Sequence, residues 1–288
     1  MTTPVPGTAD EDPQRAEVLR LRAEVRDLRA RVHAHPLIAQ AQGMLQERYA
    51  LPDAEGAFSL LRRASQRYNV KMRALAAALV STPRPDERSV LWFPRRVRRP
   101  EPPPAFLPSD QRGSSSRGAV LGAVLYRTLD VVGAGMGNVQ TVDPVTRRLH
   151  IERHTGLTEE FLDFFAYVGE KGTSCGKAAS EVVQVTVRDV EQDPVFSEPA
   201  REAILAAGSR ACHSVPLTTG SGACVGMVSA HVDRPLDDLR TTQLTALDAL
   251  GAQAGRWLAW HERTVLGDAL EHLHALGRAQ RAAGTHGS

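Results

Sequence analysis

Aromatic residues are scarce in this chain, 5% of 288, and lysine occurs only at Lys71, Lys171 and Lys177 although Lys and Arg together number 35. So few rings offer little material for a chromophore pocket. The positive charge rests on Arg, which a GC-rich coding bias also enriches, so Arg counts alone say little about nucleic acid. The three cysteines, Cys175, Cys212 and Cys224, lack the paired spacing of a metal site and suit structural thiols in a reducing compartment. His33 and His35 stand two apart, not the four that puts two ligands on one helix face, and no metal site is expected. No apolar run approaches the roughly 18 residues of a membrane span. The amino-terminal stretch also lacks a hydrophobic signal core, so the expectation is a soluble, cytoplasmic protein without membrane contact.

What is present is unevenly distributed. Residues 1–99 hold 18 Lys and Arg against 11 Asp and Glu, whereas the remainder holds 17 against 22. A basic front and an acidic rear suit a polyanion-binding module joined to one that does not bind polyanions. The length is comfortable for two domains.

Residues 36–80 read as three short amphipathic helices. Pro36 suits a first helical position, and Leu37, Ile38, Ala41 and Leu45 give a 3-4 apolar spacing up to about Tyr49. Asp53 can cap a second helix whose inner face is Ala57, Phe58, Leu61, Ala64 and Tyr68. After a break at Asn69, a third helix turns Met72, Leu75, Ala76 and Leu79 inward. Ala41 and Gly43 are small enough to admit another backbone, and an exposed Gly43 would cost about 1 kcal/mol against Ala.

The order Ile38-x-x-Ala41-x-Gly43, Ala57-Phe58-x-x-Leu61-Arg62, Asn69-x-Lys71-Met72-Arg73-x-x-Ala76 resembles the ANTAR domain. That family is a three-helix RNA-binding module of transcription antiterminators that stabilises paired hairpins in leader RNA. The resemblance implies an RNA surface at Gln42, Arg48, Asn69, Lys71 and Arg73, with Arg62, Arg63 and Arg67 as a basic flank. Gln42 stands where the family usually has Lys, which replaces a charge-assisted phosphate contact by a neutral one.

Ahead of this unit, Val18, Leu21, Val25, Leu28 and Val32 alternate steps of 3 and 4, a heptad seam expected to form a dimerising coiled coil when the following helices continue it. Behind it, the prolines between Pro83 and Pro108 forbid regular elements. Within that stretch Arg95, Arg96, Arg98 and Arg99 lie beside Trp92 and Phe93, which reads either as a phosphate-and-base grip or as a solvated spacer.

From Arg117 the pattern becomes helix, two strands, helices, three strands and a closing helix. With Gly172…Cys175-Gly176-x-Ala178, Asp189…Asp193-Pro194-x-Phe196, Gly208…Ser214-x-Pro216-Leu217 and Gly226-Met227-Val228, it resembles a GAF domain, a signalling module built on an antiparallel sheet. Sensor-first order is usual in combination with the RNA-binding module; here the order is reversed. The resemblance implies a pocket walled by Thr173, Ser174, Cys175, Asp193, Phe196 and His213, holding an unidentified small molecule or filled by its own core. No cofactor is identified, and the cyclic-nucleotide signature is absent. Some GAF proteins reduce free methionine sulfoxide, and Cys175 falls at a position like one of their cysteines. The segment after Asp189-Val190 has no thiol, however, so no nucleophile and no enzyme activity are expected. Cys212 and Cys224, on strands that could be neighbours, leave a redox pair open until their separation is known.

The expected architecture is therefore multi-domain: an N-terminal all-α part (coiled coil plus three-helix unit), then an α+β domain with an antiparallel sheet. The expected segments are 1–14 disordered, 15–35 coiled coil, 36–82 RNA-binding unit, 83–111 Pro/Arg-rich linker, 112–262 sensor, and 263–288 a helical extension with a disordered tail. The expected function is antitermination control through leader-RNA hairpins by a homodimer. A ligand-responsive interaction protein whose front helices only dimerise is the alternative.

Overall fold

The computed structural model describes residues 36–86, 89–109, 116–143, 146–168 and 172–285, together with Glu17, Arg20 and Glu24. The heptad seam from Val18 to Val32, His33 and His35 lie outside the described residues.

Three helices open the described chain: α1 (36–49), α2 (Ala54–Arg67) and α3 (Met72–Ser81). The Asp53 carboxylate accepts from Gly56 N at 2.7 Å and caps α2. Asn69 takes a left-handed φ of 48°, which a short polar side chain tolerates, and so turns the chain from α2 into α3. Leu37, Ala41, Leu45, Ala57, Leu60, Leu61, Ala64, Leu75, Ala76 and Leu79 form the core, with Phe58 and Met72 only partly buried. Three short helices leave one side of this core open, and the end of the chain covers it.

The second unit is a six-stranded antiparallel sheet in the order β3-β2-β1-β6-β5-β4. Its strands are β1 (Met136–Val142), β2 (Leu149–Thr155), β3 (Tyr167–Val168), β4 (Val185–Val187), β5 (Ala211–Thr218) and β6 (Cys224–Val232). One face carries α4 (Arg117–Val132) and α8 (Thr241–His261) over Val139, Val215, Leu217 and Val228. The opposite face carries α5 (Glu159–Phe164), α6 (Ser174–Glu181) and α7 (Glu198–Ala206) over Leu149, Cys212 and Met227. Gly251 and Gly255, one turn apart on α8, let that helix lie against the β5 backbone at Pro216 and Thr218, where a Cβ would collide. The α5 helix stops at Phe164, and Tyr167 and Val168 pair with His150 and Leu149 as an edge strand.

Past α8 the chain makes one π-helical turn, Glu262–Leu266, and continues as α9 (Gly267–Thr285). Here α9 folds back onto α2 and α3, placing Ala269, Leu270 and Leu273 in the first core. The Tyr49 hydroxyl meets His274 Nδ1 at 2.7 Å, and Gly277 leaves room for the Tyr49 ring. The proline-rich segment is fastened along the same helices. The Glu271 carboxylate accepts from Trp92 N and Phe93 N at 2.7 and 2.8 Å, Trp257 Nε1 donates to Glu101 at 2.7 Å, and Trp260 Nε1 donates to the Arg99 carbonyl at 2.9 Å.

Leu273→Ala should cost about 2–5 kcal/mol, as for other large-to-small core changes, and truncation after Leu266 should melt the front helices. Hydrogen exchange of residues 36–81 reads both outcomes; unaltered protection in the truncated chain would show that α9 is dispensable.

Candidate nucleic-acid interface

The turn between α2 and α3 carries the basic residues expected to meet RNA. Arg62, Arg63 and Arg67 on α2 are exposed, as are Asn69 and Lys71. Arg63 and Arg67 are one turn apart, on the side that faces His272 of α9. Burial first, then the Arg67 and Arg63 charges, push His272 below its ordinary pKa.

Two of the expected residues stand elsewhere. Arg48 is only 6% exposed, its guanidinium 4.6 Å from the centre of the Trp92 ring, so it is a buried cation held by a π face and out of reach of a polyanion. Gln42 is partly buried and donates from Nε2 to the Ala54 carbonyl at 3.0 Å, tying α1 to the start of α2. Gly43 does not serve a close approach among the described residues: a Cβ there would meet nothing within 4 Å. The linker grip also changes character. Trp92 is buried, Arg96 lies against the Phe93 ring and pairs with Asp268, and Arg98 reaches the same carboxylate at 3.0 Å.

Lys71 and Arg73 point at the sheet. Lys71 Nζ lies 2.6 Å from Glu152 on β2, and Arg73 pairs with Asp143 at the end of β1. A β-bulge prepares the Glu152 position. Val139 pairs with Arg153 but Gln140 pairs with Ile151, so Glu152 is the extra residue on β2. Both bulge residues reach the start of α4: Arg117 lies 2.9 Å from Glu152, and Arg153 donates to the Gly118 carbonyl at 3.1 Å. His150 Nε2 completes the carboxylate's surroundings at 2.8 Å. Burial raises the Glu152 pKa, but the His150 hydrogen bond, the Arg117 charge and Lys71 outweigh it and hold the carboxyl well below the usual range. Asp143 is fully buried, and its other oxygen accepts from Thr146 N at 2.9 Å. A cleft of about 770 Å³ runs beside these pairs, lined by Asn69, Lys71, Arg73, Arg117, Glu152 and His261 among others.

The expected sensor wall divides in two. Thr173, Ser174, Cys175 and Phe196 lie on the α6–α7 face. Thr173 caps α6 by accepting from Gly176 N at 3.0 Å, and Ser174 Oγ contacts Cys212 Sγ and Ser214 Oγ at 3.3 and 3.2 Å. Asp193, in the loop before α7, accepts from Val195 N at 2.9 Å. His213 is not part of this wall. Successive strand residues alternate faces, and His213 sits on the α8 side, bonded to Thr186 Oγ1 at 2.8 Å and Gln184 Oε1 at 2.7 Å. Buried polar groups absent from the sequence-based set, Asn138, Gln140, Ser229 and His231, lie on β1 and β6. Only the strand register reveals them. Burial pushes the Cys212 thiol up to about 12 and raises Cys175. Cys212 pairs in register with His231 and Cys224 with Thr218, which puts the two cysteines near opposite ends of the β5–β6 ladder and rules out a disulfide between them.

Fold and site together define a regulatory protein of two units, a small helical bundle with a basic corner docked on an antiparallel-sheet domain. Residues 26–80 match the ANTAR domain and residues 119–257 the GAF domain, and the chain carries an ANTAR domain followed by a GAF domain. An RNA-binding antitermination domain and a small-molecule-sensing domain are thus present. No curated protein matches the chain. Similar solved structures include a GAF domain/HD domain protein from Geobacter sulfurreducens (16% identity, 53% of this chain and 97% of that one, TM-score 0.44). The GAF domain of the Acinetobacter phosphoenolpyruvate-protein phosphotransferase is another (14%, 71% and 93%, 0.43). A third is free methionine-R-sulfoxide reductase from Neisseria meningitidis in complex with its substrate (18%, 50% and 81%, 0.39). Among the described residues no helix is long and apolar enough to cross a membrane, and no group of His, Cys, Asp and Glu could hold a metal ion.

Two outcomes follow from the buried charges. Arg73→Ala leaves the Asp143 carboxylate without its guanidinium and should cost about 3 kcal/mol, whereas Lys71, 69% exposed at its side chain, should cost below about 1 kcal/mol on truncation. Urea unfolding ranks the two, and equal losses would contradict this placement. Burial lowers the His213 and His231 pKa values to about 4 from 6.5, so stability is full above 6.5 and drains away as the pH falls toward 4. The thermal midpoint should drop across that window, and less in the His213→Gln/His231→Gln variant.

Proposed function

We propose that this protein is a cytoplasmic RNA-binding regulator of transcription antitermination whose ANTAR domain holds hairpins of leader transcripts. In this reading the GAF domain senses a small molecule or mediates dimerisation, and the heptad segment of residues 15–35 pairs two copies. The observation that carries it is the basic corner at the α2–α3 turn, where Arg62, Arg63, Arg67, Asn69 and Lys71 stand on the surface beside Arg73. Guanidinium and ammonium groups supply phosphate contact, and Asn69, exposed on a left-handed turn, can reach the edge of an unpaired loop base. The reading assigns no catalysis: the three thiols that pack on the α6 side of the sheet, Cys175, Cys212 and Cys224, are pushed toward the neutral form by burial, the opposite of a nucleophile's environment.

Because α9 completes the front core, the test uses the full chain and not an isolated front fragment. Fluorescence anisotropy with a two-hairpin RNA at low ionic strength should show binding that duplex DNA does not compete away. Arg63→Ala with Arg67→Ala should weaken it and reduce the salt slope by about 1.5, two phosphate contacts' worth. Binding with an unchanged slope removes these two arginines from the surface. A chain that ignores RNA under all salt conditions leaves the alternative, a ligand-responsive interaction protein whose front helices only dimerise.

A further inference from the structure

We propose that the β1–β2 end of the GAF sheet is an internal docking surface for the ANTAR domain's cationic corner, with Glu152 and Asp143 occupying Lys71 and Arg73 in place of RNA phosphate, so that the docked chain is autoinhibited. The inference rests on the reading of Lys71 and Arg73 as RNA contacts and adds a competitor for them within the same chain.

Geometry supports a built surface and not a chance meeting of side chains. Glu152 is the extra residue of a bulge, its side chain is 5% exposed, and Arg117 and His150 fix it from two sides while leaving an oxygen for Lys71. Asp143 is anchored by the Thr146 amide before Arg73 reaches it. Both acids are therefore held in position, whereas Lys71 stays largely exposed and can leave at little cost. The two cations lie two residues apart at the start of α3, and their two acids lie on the adjoining strands β1 and β2, Asp143 just past the end of β1 and Glu152 at the bulge of β2, so both pairs form or separate together as α3 moves off the sheet.

The surroundings of the pairs leave room for such a movement, with the proline-rich strap, bonded to both α8 and α9, as the segment that must flex. Beside the pairs the units leave the 770 Å³ cleft instead of a packed interface. The apolar core of the front unit is shared with α9, and that of the rear unit with α8. The covalent connection between them at this side is the π turn Glu262–Leu266, whose end residues Glu262 and Leu266 line the same cleft and which is the irregular step in an otherwise α-helical run. A bend there carries α9 and the three front helices as one body while the sheet stays intact. Arg62, Arg63 and Arg67 remain exposed in the docked form, so the docked chain keeps a weak, nonspecific attraction for polyanions and opening adds Lys71 and Arg73 to it. Apparent affinity then scales with the open fraction.

The experiment pairs Glu152→Gln, which keeps shape and acceptor but removes the charge, with zero-length carbodiimide coupling of the wild-type chain, which joins an amine to a carboxylate only where they touch. Glu152→Gln should bind the two-hairpin RNA about three- to fivefold tighter than wild type, the gain in open fraction that loss of one exposed pair allows, and adding Lys71→Ala should erase the gain. In the wild-type chain, peptide mass spectrometry should find the Lys71–Glu152 amide; prebound RNA should suppress it, and the coupled protein should lose tight RNA binding. If wild type and Glu152→Gln bind equally, or the amide forms equally with RNA bound, docking does not compete with RNA and the inference is overturned while the RNA reading stands. If neither protein binds RNA, the reading beneath it fails as well. Should Glu152→Gln not fold, the coupling arm alone decides.

Discussion

Leu270 and Leu273 of α9 share one core with Leu45 of α1, Leu61 of α2 and Leu75 of α3. This closure is the constraint on which the rest depends. Three helices of 10 to 14 residues have too little apolar surface to be independently stable, and most helical stability comes from tertiary packing. By lending α9 to the front unit, the chain ties its ANTAR domain to α8, which is itself core to the sheet domain. The proline-rich segment between the domains is drawn into the same arrangement because Glu271 and Asp268 on α9 bind its amides and arginines.

One helix run serving two cores makes the geometry between the domains a physical variable. A change at the sheet can reach the front helices through the direction of α8 and the π turn without passing through the proline-rich strap. The domain order, RNA binder first and sensor second, would otherwise leave the two joined only by that strap. The fold restores the coupling by returning the C-terminus to the N-terminal core, with Tyr49 and His274 bonded across 225 positions of sequence.

Electrostatics adds a second coupling of different character. The acidic surplus of the rear half is not spread over a solvated face alone: Glu152 and Asp143 are buried against cations of the front half. A carboxylate with a low pKa, surrounded by His150, Arg117 and Lys71, is already satisfied by its own domain and loses little when one cation departs. Arg73 is held more tightly, because its partner has no access to water.

The helices of the front unit, the Asp53 cap, the turn at Asn69 and most strands of the sheet domain were legible because each follows from local periodicity and turn chemistry. The exposed arginines of α2 were legible for the same reason. Arg48 was not: its burial under Trp92 joins residues more than forty apart, and no local pattern encodes a cation–π contact. His213 seemed to belong with Cys175 because motif proximity says nothing about which sheet face a side chain takes. That face depends on strand register, as do the bulge at Glu152 and the separation of Cys212 from Cys224. Sequence by itself determined which elements form and which kinds of charge they carry, since both are properties of neighbours along the chain. Only the tertiary structure decided that the last helix finishes the first core and that Lys71 and Arg73 meet carboxylates, because long-range packing brings those partners together.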